Sequence, residues 1–244
     1  MDTLLQITDL TKNFGGLRAV AGLTMSIKEH ELTGLIGPNG AGKTTVFNLI
    51  TGLYRTDSGD IRYDERSIVR LKPFEIAQLG ISRTFQNIRL FGSLSVLENV
   101  MIAFHMHTDY GLAAAVIHNG KYRKQEKELL ERSWELLEVF GLENRAHEIA
   151  CNLPYGQQRK LEIVRALATE PRLLLLDEPA AGMNPQETEK LMELIRFIRE
   201  RFKLTIFLIE HQMRVVMSIC QRVTVMDFGR KIAEGAPCDI QNDA

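Results

Sequence analysis

The sequence predicts an α/β fold organised around a parallel sheet, and three observations carry that reading. Strand-like and helix-like segments alternate along much of the chain, the order from which layered α/β architecture is built. Two short stretches, residues 172–177 and 204–210, are nearly continuous apolar runs, as parallel strands covered on both faces must be. A further apolar strand at 32–36 runs straight into Gly37-Pro38-Asn39-Gly40-Ala41-Gly42-Lys43-Thr44 and then a helical pattern. Strand, glycine loop and helix in that order give the G-x-x-x-x-G-K-[ST] spacing its meaning.

Taken in order, the chain opens with two alternating segments, 4–10 and 19–27, on either side of Phe14-Gly15-Gly16. They read as an antiparallel pair. Beyond the glycine loop, 45–53 reads as a helix with Val46, Leu49, Ile50 and Leu53 on one face. Residues 55–64 form a turn-rich return, another antiparallel piece. From about 74 to 168 the pattern is mostly helical; within it, 122–140 sets Leu130, Trp134 and Leu137 at helical spacing before Gly141, a natural stop. The mixed charges between 121 and 132 read as a solvated helix face. Between the two apolar strands, Asn184-Pro185-Gln186-Glu187 has the form of a helix start, with Asn as cap, Pro first and Glu three residues after the cap. Last, 223–226 and 231–234 flank Asp227-Phe228-Gly229-Arg230 as a hairpin. No repeat, low-complexity tract or linker interrupts the chain.

Composition narrows the classes open to such a fold. The 244 residues, 45% hydrophobic and 25% charged, are enough for one or two ordinary globular domains with a sizeable core. Thirty basic against 31 acidic side chains leave a net charge of −1, which speaks against a nucleic-acid binder relying on a strongly basic field. The three cysteines, Cys151, Cys220 and Cys238, contain no C-x-x-C pair. Neither a disulfide framework nor a zinc site follows, and reduced thiols are expected. Met1-Asp2-Thr3-Leu4-Leu5 has no basic start and meets Asp9 before any long apolar run, unlike a signal peptide. No apolar stretch approaches the ~18 residues of a spanning helix, so the expectation is a soluble chain whose membrane role would come through a partner.

The glycine loop is chemistry as well as structure. Polyphosphate is crowded with negative charge, and a ring of backbone N–H groups at a helix N-terminus answers it. Gly37, Gly40 and Gly42 allow close backbone approach, Lys43 can reach the β- and γ-phosphates, and the Thr44 hydroxyl can ligate Mg²⁺. Leu173-Leu174-Leu175-Leu176-Asp177 is a hydrophobic strand ending in an acid suited to hold Mg²⁺, and the adjacent Glu178 has the chemistry to polarise an attacking water.

Those elements, with Gln86, Leu153-Pro154-Tyr155-Gly156-Gln157 and His211, follow one another in the order and spacing of an ABC transporter nucleotide-binding domain. The chain resembles that family over essentially its whole length. It is most similar to the G-type ATPases of branched-chain amino acid uptake systems, through Arg83-Thr84-Phe85-Gln86, Arg89-Leu90-Phe91, Tyr155-Gly156-Gln157-Gln158-Arg159 and the run from Asp177-Glu178-Pro179 to Asn184-Pro185. The resemblance implies a RecA-like P-loop NTPase core with an antiparallel β subdomain and an inserted helical subdomain. It implies a single nucleotide-binding domain over 1–244, with 1–86 and 169–244 as core plus antiparallel β and 87–168 as the helical part. It further implies that Phe14 stacks on adenine, and that Pro38, Asn39, Ala41 and Thr45 join Gly37, Gly40, Gly42, Lys43 and Thr44 around ATP. Gln86 would contact Mg²⁺ and the lytic water, and His211 would donate to the γ-phosphate.

Two departures from the family pattern bear on the site. The commonest signature is Leu-Ser-Gly-Gly-Gln, whereas Pro154 here has neither hydroxyl nor N–H. The N–H groups of Tyr155, Gly156 and Gln157, at the start of the next helix, remain to receive an anion. Asn184 replaces the D-loop aspartate and cannot carry its charge, while its cap role survives. Other resemblances are superficial. Asp227-Phe228-Gly229 matches a kinase string without an H-R-D loop and reads as a turn. His105 and His107, with Asp109 and His118 nearby, read as part of a surface excursion around 111–115 rather than a metal site.

The expected function is therefore that of an ATP-hydrolysing subunit powering a membrane importer, with ATP and Mg²⁺ as its cofactors. Resemblance alone points to branched-chain amino acids, with urea or short amides as the alternative cargo. A second ATPase subunit, identical or related, would complete each site through Leu153 to Gln157. Integral-membrane permease subunits, touched by 86 to about 99, would hold the chain at the cytoplasmic face of the inner membrane, and a solute-binding protein would act indirectly. A soluble ABC ATPase of DNA repair or translation is the rival; such chains carry a long coiled coil or two cassettes, and neither pattern is present.

Overall fold

The structure, a computed structural model, describes residues 2–108 and 120–242. The chain divides into one compact unit made of Met1–Gln86 with Arg172–Ala244 and a second, Asn87–Pro171.

The first unit holds two sheets. β1 (Thr3–Phe14) and β2 (Leu17–Lys28) form a long antiparallel hairpin around Gly15 and Gly16, both strands outrunning the segments their alternation marked. β3 (Leu32–Ile36) leads through the glycine loop to α1 (Lys43–Ile50). β4 (Ser58–Tyr63) returns antiparallel to β1 and carries the short β5 (Arg66–Ser67) at the edge. α2 (Pro73–Gln78) precedes β6 (Ile81–Arg83). The strand β6 falls in a stretch whose pattern reads as helical; three residues are too few to establish a period, and only pairing with the next strand defines it.

The second sheet runs β10-β9-β3-β8-β7-β6, with β7 (Leu173–Asp177), β8 (Thr205–Ile209), β9 (Arg222–Asp227) and β10 (Arg230–Gly235). All neighbours are parallel except β10 on β9. Every residue of β3, β7 and β8 is buried, which is why their sequences are apolar without alternation. The helix at Pro185–Arg201 begins as expected: Asn184 Oδ1 accepts from Glu187 N–H at 2.9 Å while Glu187 Oε2 accepts from Asn184 N–H at 3.1 Å. Two short helices, Met213–Ile219 and Pro237–Asn242, were not legible, being at most two turns long.

The core of this unit is sandwiched between the sheets. Leu5, Ile7, Leu10, Leu23 and Ile27 face Val46, Phe47 and Ile50 of α1, which in turn join Leu173, Leu175, Phe207 and Ile209 in one cluster. The α1 helix ends at Ile50, and Leu53, expected on its buried face, is 47% exposed. Thr51 Oγ1 donates to the Phe47 carbonyl at 2.8 Å, and Gly52 then turns the chain at φ 70°.

In the second unit, helices span Val96–Phe104, Gly120–Phe140 and Tyr155–Ala168. Ser95 caps the first of them in a reciprocal pair with Glu98. The long helix buries Leu129, Ser133, Leu136, Leu137 and Phe140; of the three residues set at helical spacing, Leu137 is fully buried, Trp134 half-buried and Leu130 37% exposed. The expected helix is present, and three anchors at helical spacing mark its period without fixing which side is buried. His105 Nε2 lies 2.8 Å from Glu126 Oε1; Asp109, 111–115 and His118 lie outside the described residues. No helix among the described residues is long and apolar enough to cross a membrane.

Candidate active site

The C-terminal ends of β3, β6, β7 and β8 lie side by side, and in an open parallel sheet this edge is where ligands bind. The loop after β3 is held by its neighbours. A Cβ on Gly37, at φ 148°, would stand 2.0 Å from the Met226 carbonyl oxygen; one on Gly42, at φ 100°, would stand 2.2 Å from that of Ala19. Glycine is required at both places because strand backbones already occupy the space. Gly229 N–H also donates to the Ala41 carbonyl at 3.0 Å. Pro38, Asn39, Gly40 and Thr44 form the exposed rim of the loop, with Thr45 half-buried behind them. Lys43 is buried, and its Nζ donates to the carbonyls of Gly37 at 2.8 Å and Pro38 at 3.0 Å. Burial pulls the Lys43 ammonium below its ordinary pKa, opposed by the charges of Glu178 and Asp177.

At the end of β7, Asp177 is 2% exposed and accepts from Arg83 Nη2 at 2.7 Å through Oδ2. Arg83 Nη1 donates to Asn48 Oδ1 at 2.6 Å, tying α1 to the same cluster. The guanidinium lies 5.4 and 5.0 Å from the ring centroids of Phe47 and Phe85. Glu178 adopts a left-handed backbone at φ 47°, uncommon for a non-glycine residue. One of its carboxylate oxygens accepts from Gln86 Nε2 at 3.0 Å, and the other lies 3.6 Å from His211 Nδ1. Gln86, Glu178 and His211 are thus brought together beside the glycine loop, from three separate strand ends. Such a set can cradle polyphosphate, offer hard oxygen donors (Thr44, Asp177, Gln86) to a magnesium ion and direct a water at a phosphorus atom.

Phe14 ends β1 and is 42% exposed. Tyr54 meets it edge-on, centroids 5.2 Å apart, and Lys12 Nζ lies 5.5 Å from the ring centre, itself paired with Asp57. In the second unit, Pro154 caps the helix that starts at Tyr155. Here one expectation needs correcting: the Gln157 N–H donates to the Pro154 carbonyl at 2.9 Å, so the helix ladder has already taken it. Tyr155 and Gly156 supply the first two N–H groups, which precede that ladder.

Two residues missed by sequence reasoning stand out. Arg83 lies in a run quoted for its resemblance, yet its pairing with Asp177 spans 94 positions and follows only from the parallel register of β6 on β7. Glu210 is fully buried just before His211; a charged residue ending an apolar strand was its one signal.

A family model described as ABC transporter matches residues 20–181. The chain is 45% identical, over 98% of its length and 94% of the relative's, to the high-affinity branched-chain amino acid transport ATP-binding protein LivG of Salmonella typhimurium. Among solved structures it is similar to the ADP conformation of MJ1267, an ATP-binding cassette of an ABC transporter, with a TM-score of 0.86 and 29% identity over 100% of this chain and 96% of the other. It is also similar to a dimeric post-hydrolysis state of the cassette MJ0796 bound to ADP and Pi, with a TM-score of 0.81 and 26% identity over 96% and 99%. The α/β class with a RecA-like P-loop core is what these neighbours share with it.

Proposed function

The chain belongs to the ABC transporter family and is an ATPase, and we propose that its hydrolysis of ATP drives import of branched-chain amino acids. In this reading it sits at the cytoplasmic face of the inner membrane against integral-membrane permease subunits, paired with a second cassette. A solute-binding protein would deliver the cargo. The observation that carries the choice of cargo is the likeness to LivG along almost the whole chain. The test is uptake by cells whose chromosomal copy carries Lys43→Ala. Labelled leucine, isoleucine and valine uptake is expected to fall to background, with urea and acetamide uptake unchanged. Loss of urea or amide uptake alone would move the cargo to that class, and intact uptake of all of them would return the chain to a soluble role.

Within the site, N–H groups of the loop between Asn39 and Thr45 hold the phosphates and Lys43 exchanges its two loop carbonyls for β- and γ-oxygens. The residues present suit magnesium, whose contribution when held by Thr44, Asp177 and Gln86 is to neutralise phosphate charge. Glu178 takes the proton of the attacking water, and His211 donates to the γ-phosphate. Both carboxylate oxygens of Glu178 face a neighbour, Gln86 or His211. Each carboxylate oxygen has two lone pairs, so both keep room to accept from a water. Tyr155 and Gly156 of a partner cassette close the site from the other side.

Phe14 supplies ring area to the adenine, and nothing in that role needs a hydroxyl. Phe14→Tyr and Phe14→Trp are expected to keep ATP affinity, whereas Phe14→Ala should lose about 1–3 kcal/mol, the worth of base stacking on an aromatic ring. Titration with a fluorescent ATP analogue reads this directly. An Ala variant with intact affinity and fold would leave Phe14 as a packing partner of Tyr54 and nothing more.

A further inference from the structure

The left-handed backbone of Glu178 is held from one direction. Its N–H donates to the carbonyl of Ile209, the last residue of β8, at 2.9 Å. Two residues on, the Ala180 N–H donates to Glu210 Oε1 at 3.1 Å. The other oxygen of the same carboxylate, Oε2, accepts from the His211 N–H at 3.3 Å. Glu210 is fully buried. Burial pushes its carboxyl above the usual carboxylate range, and the N–H groups of Ala180, His211 and Gln212 oppose that shift. One buried side chain therefore bridges the segment that carries Glu178 and the segment that carries His211. A carboxylate in such surroundings is costly unless hydrogen-bonded, and packing alone would be served by an apolar residue.

We infer that Glu210 is a positioning residue for hydrolysis, its two oxygens stapling the Glu178 loop to the His211 loop and holding Glu178 in its strained conformation. The inference rests on the reading of Glu178 as the group that activates water. Backbone strain that persists at a reacting centre needs such over-determined support.

The experiment compares Glu210→Gln, Glu210→Ala, Glu178→Gln and the double variant Glu178→Gln/Glu210→Gln in the full chain. The readouts are kcat, KM, ATP affinity without turnover and melting temperature. The amide of Glu210→Gln keeps the shape but turns one acceptor into a donor facing an N–H, so one arm of the staple is lost whichever way it lies. Loss of one net hydrogen bond predicts a kcat about three- to tenfold lower, and loss of both in the Ala variant about five- to a hundredfold lower, with KM and ATP affinity within twofold. In the Glu178→Gln background, Glu210→Gln is expected to lower single-turnover hydrolysis no further, because it acts through Glu178. If the Ala variant does not fold, the near-isosteric Gln variant and the double variant decide. A folded Glu210→Gln protein with unchanged kcat, or one whose kcat and ATP affinity fall together, overturns the inference. A Glu178→Gln protein that turns over normally would instead overturn the reading of Glu178, whatever Glu210 does.

Discussion

Glu178→Gln is expected to bind ATP and cease to turn it over. The substitution keeps the shape of the side chain and leaves residues 37–45 untouched, yet an amide cannot take a proton from water. General base catalysis contributes about 10²–10⁴-fold, and kcat should fall by that factor. Gln86 and His211 lose their charged partner without losing a neighbour of the same size. Because ATP stays bound and the step that lets the cassettes part is blocked, the variant should accumulate as a closed, ATP-loaded dimer. Lys43→Ala is the counterpart. It removes an ammonium expected to face the phosphates, and charge-assisted hydrogen bonds of this kind are worth about 1.5–3 kcal/mol, or roughly tenfold to a hundredfold in ATP affinity. Equilibrium binding of nucleotide beside steady-state phosphate release separates the two. Equal loss of binding in both variants would sink the assignment of roles.

Gly156→Asp should abolish hydrolysis while leaving each monomer's own ATP affinity intact. Gly156 is the second residue of the helix that begins at Tyr155, close to where a partner's γ-phosphate would meet the helix end. An aspartate there puts like charges within a few ångströms; at 4 Å and an effective dielectric of 20 that repulsion is about 4 kcal/mol, some three orders of magnitude in rate. The same aspartate in a first turn favours the helix itself by about 0.3–1 kcal/mol. Folding and function are thus pushed in opposite directions, so inactivity cannot be blamed on a melted helix. Pro154→Ser, which adds a hydroxyl and restores an N–H, should leave the rate within a few-fold. Normal ATPase activity in Gly156→Asp would mean this helix end does not meet the nucleotide.

Much of this molecule was legible before its structure, and the reasons differ element by element. The strands at Leu173–Asp177 and Thr205–Ile209 announced themselves because burial on both faces leaves no room for polar residues. The start at Asn184 was legible because capping is local, needing only four consecutive residues. Ile81–Arg83 and Met213–Ile219 were not, since neither is long enough to express a period. The Gly120–Phe140 helix was legible from its period and its glycine stop, but its buried side was not, because rotation about a helix axis is set by what packs on it. Within the site, Glu178 could be named from its place after an apolar strand ending in Asp177, and Gln86 and His211 from the resemblance to the ABC family. The grip of Arg83 on Asp177 and of Glu210 on two loops could not, because both depend on strand register between residues distant in sequence.

The two glycines pressed against the carbonyls of Ala19 and Met226 have a thermodynamic consequence. A loop wedged between neighbouring strands has no slack, so it cannot slump when empty and tighten when filled. Its conformational entropy was spent when the sheets assembled, long before any ligand arrived. Nucleotide association should therefore carry little ordering cost in the loop itself, and its temperature dependence should be dominated by what happens to water and phosphate charge. The mould is cast by folding, and the ligand meets a finished shape.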